Sequence, residues 1–361
     1  MSWLQLLLFV LGLGLLVLGA EVLVKGASRL AVGFRISPLV IGLTVVAFGT
    51  SAPEMAVSAG AAVAGQGDIA LANVLGSNIF NVLFILGLSA LIAPLLVSRQ
   101  LIRLDVPLMI GASLLVWLLA LNGHLGRSEG ALLLGLIIAY TLFLVVSSRR
   151  AGRQAGEASE LEVPAESGSL PVNLLMIVGG LVMLVLGARW LVAGAVTMAQ
   201  VLGVSERVIG LTIIAAGTSL PEVATSLIAS VRGHRDIAVG NVVGSNLFNL
   251  LAVLGLASLL APGGIAVSAA MLRFDMLIML AVAVACLPVF FSGMRINRWE
   301  GLLFLGYYAL YTLHLILTAS DSPARQDLQA AVLYYALPLT VLTLLVLMAQ
   351  GWRKHSSVFK R

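Results

Sequence analysis

Residues 40–58 read VIGLTVVAFGTSAPEMAVS, and residues 208–226 read VIGLTIIAAGTSLPEVATS. The likeness continues downstream, to NVLGSNIFNVLFILG at 73–87 and NVVGSNLFNLLAVLG at 241–255. At a constant offset of 168, stretches 40–87 and 208–255 agree at 29 of 48 positions. Outward from there, LVLGAE at 16–21 matches LVLGAR at 184–189, and LIRLDV at 101–106 matches MLRFDM at 271–276. RSEG at 127–130 matches NRWEG at 297–301, and YTL recurs at 140 and 311. One structural unit is written twice.

Composition fixes the medium in which that unit folds. The chain has 361 residues, 60% apolar and 10% charged, with a mean hydropathy of +1.08. Soluble domains average about 45–50% apolar and about 25% charged. So much apolar surface excludes a water-soluble enzyme, a disordered chain, a coiled coil and a nucleic-acid binder. The lone cysteine, Cys286, lies in an apolar run and excludes an internal disulfide. The expected class is an all-α polytopic membrane protein.

Stretches of about 20 apolar residues cross a bilayer as helices. Eleven are present, near 3–31, 38–64, 69–94, 104–121, 129–147, 172–200, 206–231, 237–261, 275–292, 301–318 and 329–350. The first lacks the basic start and short apolar core of a cleavable signal. Each copy of the repeat covers five spans, and five is odd. The second copy must therefore cross the membrane in the opposite sense, giving two inverted-topology five-helix repeats. The expected division is 1–147 and 172–318 for the repeats, with a cytoplasmic linker at 148–171 and an added helix with a basic tail at 319–361. The linker carries Arg149, Arg150 and Arg153, then Glu157, Glu160, Glu162 and Glu166, without an apolar period.

Net charge is +5, and the basic residues set the orientation. Of the 21, sixteen collect on the side of loops 1, 3, 5, 7 and 9 and the C-terminus when loops are counted from the N-terminus; four collect on the other side, and Arg189 sits within a span. The expectation is an N-terminus outside and a C-terminus in the cytoplasm. A bacterial inner membrane fits the compact loops.

Polar residues inside the spans carry the chemistry. Thr50, Glu54 and Ser58 recur every four residues, so they line one helix face, as do Asn73, Ser77 and Asn81. Thr218, Glu222 and Ser226, then Asn241, Ser245 and Asn249, repeat both stripes. A charge at mid-membrane costs about 2.5–3.5 kcal/mol on insertion scales, so Glu54 and Glu222 need a partner, a proton or a cation. GTSAPE at 49–54 and GTSLPE at 217–222 predict a broken helix, because Pro53 and Pro221 each remove a backbone hydrogen bond. Freed carbonyls, hydroxyls, amide oxygens and two carboxylates make an all-oxygen set, which suits a hard cation such as Ca²⁺. No Cys or His pairing points to zinc or copper.

Structural roles compete for these residues. Ser51-x-x-Glu54 and Ser219-x-x-Glu222 fit a capping box, and Asn and Ser stripes can glue helices together. Glu21, one turn from Lys25, reads as a local ion pair. Asp68 and Asp236 read as helix caps, and Arg103 with Asp105 and Arg273 with Asp275 as interfacial anchors. His314 reads as packing.

The paired segments GTSAPE…NVLGSNIFN and GTSLPE…NVVGSNLFN resemble the two alpha repeats of the sodium/calcium exchanger branch of the cation/calcium antiporter superfamily. The resemblance spans roughly 11–318. It implies ten helices from two repeats, with helices 2, 3, 7 and 8 around the ion sites and long helices 1 and 6 sliding against that core. By motif match it places carboxylates at Glu54 and Glu222, hydroxyls at Thr50, Ser51, Ser77, Thr218, Ser219 and Ser245, and amides at Asn81 and Asn249. Carbonyls would come from Ala47 and Ala215. Many sodium-coupled members carry aspartate where this chain has Asn249. The site then holds two formal negative charges, matched by one Ca²⁺ or two Na⁺.

The resemblance implies a Ca²⁺ antiporter driven by inward Na⁺, with Ca²⁺/H⁺ exchange as the alternative because paired carboxylates bind protons readily. No cofactor and no enzymatic activity are expected. The expected partners are the bilayer and the transported Ca²⁺ and Na⁺ (or H⁺), without nucleic acid or a protein partner.

Overall fold

The structure, a computed structural model, describes residues 3–34, 36–157, 168–203, 213, 215–291, 293–320 and 322–343. Helix α1 (Trp3–Phe34) leads into a bent pair, α2 (Pro38–Thr50) and α3 (Ala52–Val63), which meet at 45°. Then come α4 (Gly67–Ile92), α5 (Leu101–Asn122) and α6 (Arg127–Glu157). The second half has α7 (Leu170–Val201), a single turn at Ala215–Gly217, α8 (Leu220–Val231), α9 (Arg235–Leu260), α10 (Met271–Phe291) and α11 (Arg298–Ala319). A last helix, α12, occupies 324–343. Among the described residues eight helices are long and apolar enough to cross a membrane, or nine with the bent pair counted as one span. The chain is an all-helical, multi-pass integral membrane protein. The seventh expected span is described only from its middle onward, and the rest of the eleventh, with the basic tail, lies outside the described residues.

The two halves meet about a local two-fold axis. Cβ atoms built on Gly12 and Gly187 would come 2.8 and 2.7 Å from each other's carbonyl oxygen, and Gly19 and Gly180 oppose each other in the same way. Further along, Gly26 faces Asn173. Residue numbers rise on α1 as they fall on α7, so these equivalent helices run antiparallel, as inverted repeats require. Only glycine lets the two backbones approach so closely. Gly87 meets Gly301, and its repeat equivalent Gly255 meets Gly130, which joins α4 to α11 and α9 to α6. Four two-residue strands, β1 (Leu95–Leu96), β2 (His124–Leu125), β3 (Ile265–Ala266) and β4 (Arg295–Ile296), pair antiparallel as β1 with β4 and β2 with β3, so each pair also joins the two halves.

Several local expectations change. Helix α6 runs on to Glu157, so the first ten residues of the expected linker are helical; residues 158–167 lie outside the described residues. Glu21 pairs with Arg232 at the end of α8 rather than with Lys25, a contact 211 residues distant in the chain. Asp105 is fully buried and accepts from the Tyr140 hydroxyl at 3.0 Å and the Gln100 amide at 3.2 Å, so it ties α5 to α6 instead of anchoring at the interface with Arg103. Its equivalent, Asp275, accepts from Tyr311 at 3.5 Å. Asp68 and Asp236 lie in the first turns of α4 and α9, where an acid complements the helix dipole, but neither is the cap itself. His314 packs on Phe274, with ring centres 4.6 Å apart.

Candidate cation site

The expected break is present in both copies. Ser51 (φ −78°, ψ 4°) separates α2 from α3, and Ser219 (φ −88°, ψ 7°) precedes α8. In each case the proline is the second residue of the new helix, where its missing N–H removes no bond within that helix. The cost falls on the preceding turn, where Gly49 and Gly217 lose the donor four residues ahead. The Ala47 carbonyl accepts from the Ser51 N–H at 3.0 Å, with the Thr50 hydroxyl 3.4 Å away and turned to Asn241. Its second lone pair is what it has left to offer a ligand. Ala215 opens the turn before the second break.

The capping-box alternative fails at both glutamates. Neither Ser51 nor Ser219 caps its helix with its side chain. Each serine instead reaches across to the glutamate of the other repeat. Ser219 donates to Glu54 Oε1 at 2.8 Å, and Ser51 to Glu222 Oε1 at 3.4 Å. Both carboxylates are fully buried, and Oε2 of each has no hydrogen-bond partner. Buried acceptors without donors are costly, and carboxylates more so. Each carboxylate therefore calls for a proton or a cation.

Around the glutamates the two stripes interlock. Thr50 donates to Asn241 Oδ1 at 3.1 Å and lies 3.4 Å from the Ser245 hydroxyl. Thr218 donates to Asn73 Oδ1 at 3.4 Å, and the Ser219 and Ser77 hydroxyls lie 3.2 Å apart. The amides of Asn73 and Asn241 bond Ser58 and Ser226 at 2.9 and 3.0 Å. Eight of the expected residues thus cluster, all buried except the half-buried Thr218: Thr50, Ser51, Glu54, Ser77, Thr218, Ser219, Glu222 and Ser245. Asn81 and Asn249 follow one turn beyond Ser77 and Ser245, each at the start or second position of a π-helical turn. Asn81 donates to Asn246 Oδ1 at 3.0 Å and keeps a free Oδ1; both polar atoms of Asn249 are buried without a partner.

Sequence reasoning passed over Asn78 and Asn246. Each donates to the other's backbone carbonyl, at 3.4 and 3.3 Å, and each also points at a methionine sulfur, Met279 or Met109. The signal was available, because GSN recurs in both copies and a buried asparagine needs a stated partner. Among the described residues no three His, Cys, Asp or Glu side chains cluster, so any cation here rests on two carboxylates and neutral oxygens.

Fold and site together define a polytopic membrane protein with a two-carboxylate oxygen centre at the junction of inverted repeats. The family model for the sodium/calcium exchanger protein matches residues 4–146 and 172–317. The inner membrane protein YrbG of Escherichia coli is 41% identical over 72% of this chain and 80% of its own. The sodium/calcium exchanger MaX1 of Methanosarcina acetivorans is 31% identical over 86% and 97%. The solved sodium-calcium exchanger NCX_Mj superposes with a TM-score of 0.74 at 32% identity, over 86% of this chain and 98% of that one. The chain belongs to the sodium/calcium exchanger family. Its activity is accordingly of the cation-antiport kind, in a family of exchangers rather than of catalytic enzymes.

Proposed function

We propose that the protein exchanges Ca²⁺ for Na⁺ by alternating access, with both ions competing for the oxygens around Glu54 and Glu222. The observation that carries this reading is the pair of fully buried carboxylates, each held by a serine of the opposite repeat and each left with an unpartnered oxygen. The remaining ligands are Thr50, Ser51, Ser77, Thr218, Ser219, Ser245, the amides of Asn81 and Asn249, and the carbonyls of Ala47 and Ala215. Moving two bare carboxylates through an apolar barrier is expensive, so only the charge-compensated site switches sides. Exchange is then obligatory.

The unit of transport is residues 1–147 plus 172–318, in which the long helices α1 and α7, one from each repeat, slide against the core that holds the site. The excess of basic residues on one set of loops supports an N-terminus outside and a C-terminus in the cytoplasm. With an inner-membrane relative in Escherichia coli, a bacterial inner membrane is the setting.

Ca²⁺ uptake into proteoliposomes under an imposed Na⁺ gradient, against an imposed pH gradient, tests the reading. Uptake driven by Na⁺ alone supports it. Uptake driven by ΔpH alone replaces it with Ca²⁺/H⁺ exchange, in which the same glutamates carry protons.

A further inference from the structure

A crevice of about 530 Å³ opens on the flank of the molecule, away from the polar cluster. Phe48 of α2 and Met55 of α3 form its wall, Phe248 and Ala252 of α9 its floor, and Ile138 and Leu142 of α6 its rim. The rim residues are 59% and 61% exposed and belong to the lipid-facing surface of α6, so the crevice is continuous with the face the protein turns to the bilayer.

The symmetry-related position, between α4 and α11, shows what such a space requires. Matching Tyr140 to Tyr311 places Tyr308 opposite Ile137, while the constant offset places Phe80 and Phe84 opposite Phe248 and Ala252. Phe80 and Phe84 stack at 4.7 Å, and Tyr308 closes on them at 5.2 and 5.3 Å. Two rings of α4 and one of α11 thus fill the symmetry-related volume. In the crevice Ala252 of α9 and Ile137 of α6 stand at the places of Phe84 and Tyr308, and the space stays open.

Water does not suit the crevice. Its polar groups are two threonines, and Thr44 already donates to the Val40 carbonyl at 2.6 Å. A buried water needs two to four polar partners. Left empty, the lining forfeits its dispersion contacts. We propose that the crevice is a lipid site, in which one acyl chain of a bilayer phospholipid takes the place that Phe84 and Tyr308 occupy in the symmetry-related volume. The chain bears on Phe48 and Met55, one on each side of the break at Ser51, and so buttresses the broken helix that carries Glu54.

The test uses the full chain in proteoliposomes containing a phosphatidylethanolamine with a diazirine midway along one acyl chain. After illumination, labelled peptides are mapped by mass spectrometry, with the exposed face of α1 as the internal reference for unspecific lipid contact. Label on the α2–α3 or α9 crevice segments above that reference is the expected result. Ala252→Phe with Ile137→Tyr should cut it by about tenfold, equivalent to roughly 1.4 kcal/mol of lost contact. The converse pair, Phe84→Ala with Tyr308→Ile, empties the sister volume and should gain label around Phe80. Crevice label no higher than the α1 reference, or unchanged by the filling pair, overturns the proposal. Should the filling pair not fold, the converse pair decides: no new label around Phe80 overturns it.

Discussion

Half-helices α3 and α8 carry the same motif in opposite surroundings. Helix α8 is packed along by α1 and also touched by α7, and of its residues only Val231 is exposed. Helix α3 receives no comparable packing from either, and Ala52, Ala56, Val57 and Gly60 lie open along it. Thr225 is fully buried, whereas Val57, its equivalent, is 42% exposed. The Glu21–Arg232 pair sits on the covered side only, because the equivalent positions are Arg189 and Ala64. A nearly symmetric sequence has folded into an asymmetric state, in which α1 covers one half-helix and leaves the other open. The chemistry is shared between the repeats; the cover is not.

The largest effect that could break this comparison lies at the glutamates. Glu54→Gln and Glu222→Gln should each abolish Ca²⁺ exchange while the helical signal and Tm persist, despite their unequal surroundings. Full exchange retained in either variant would show that the site is one-sided too.

Next comes access. In a Cys286→Ala background, Val57→Cys should react with a water-soluble thiol reagent at least about tenfold faster than Thr225→Cys, since the covered site must first open locally. Equal rates would mean that both half-helices are exposed in the membrane.

A smaller effect is expected at the glycine seam. A Cβ on Gly12 meets the backbone of Gly187 and Leu191 at 2.8 and 2.9 Å, whereas one on Gly14 meets nothing within 4 Å. Gly12→Ala should destabilise by about 1–3 kcal/mol, as overpacking does. Gly14→Ala should not lower Tm, and a thermal melt in detergent separates the two.

The smallest effect belongs to the ion pair, whose side chains are 59% and 35% exposed and therefore well screened. Arg232→Gln should narrow the ratio of thiol reactivities by less than about fivefold, the range of 0.2–1 kcal/mol measured for exposed pairs. The charge swap Glu21→Arg with Arg232→Glu should restore it.

Much of the architecture was legible because the repeat supplied it. An odd number of spans, duplicated, leaves one topology, and two prolines at matched positions locate the breaks. Glu54 and Glu222 stood out because charge at that depth needs a reason. What stayed hidden was the partner across the axis. Glu21 has a cation one turn away, and helix spacing argues for Lys25, but tertiary packing brings Arg232 instead. Asp105 looked like an interfacial anchor beside Arg103 until α6 brought Tyr140 to it. Ser51 and Ser219 matched a capping motif whose local bonds are not made, because each serine has a carboxylate in the other repeat to serve. Local spacing finds the residues, and long-range packing chooses among their possible partners.

The exchange between Asn78 and Asn246 has a consequence for motion. These equivalent residues each donate to the other's carbonyl, so a half-turn about the local axis maps the pair onto itself. A switch that trades the roles of the two repeats applies that half-turn to the molecule's contacts. Every contact off the axis, such as α1 on α8, must then be given up and remade elsewhere. A self-mapped contact is the same before and after. Under the alternating access proposed above, the asparagine pair is therefore a contact that the two end states share.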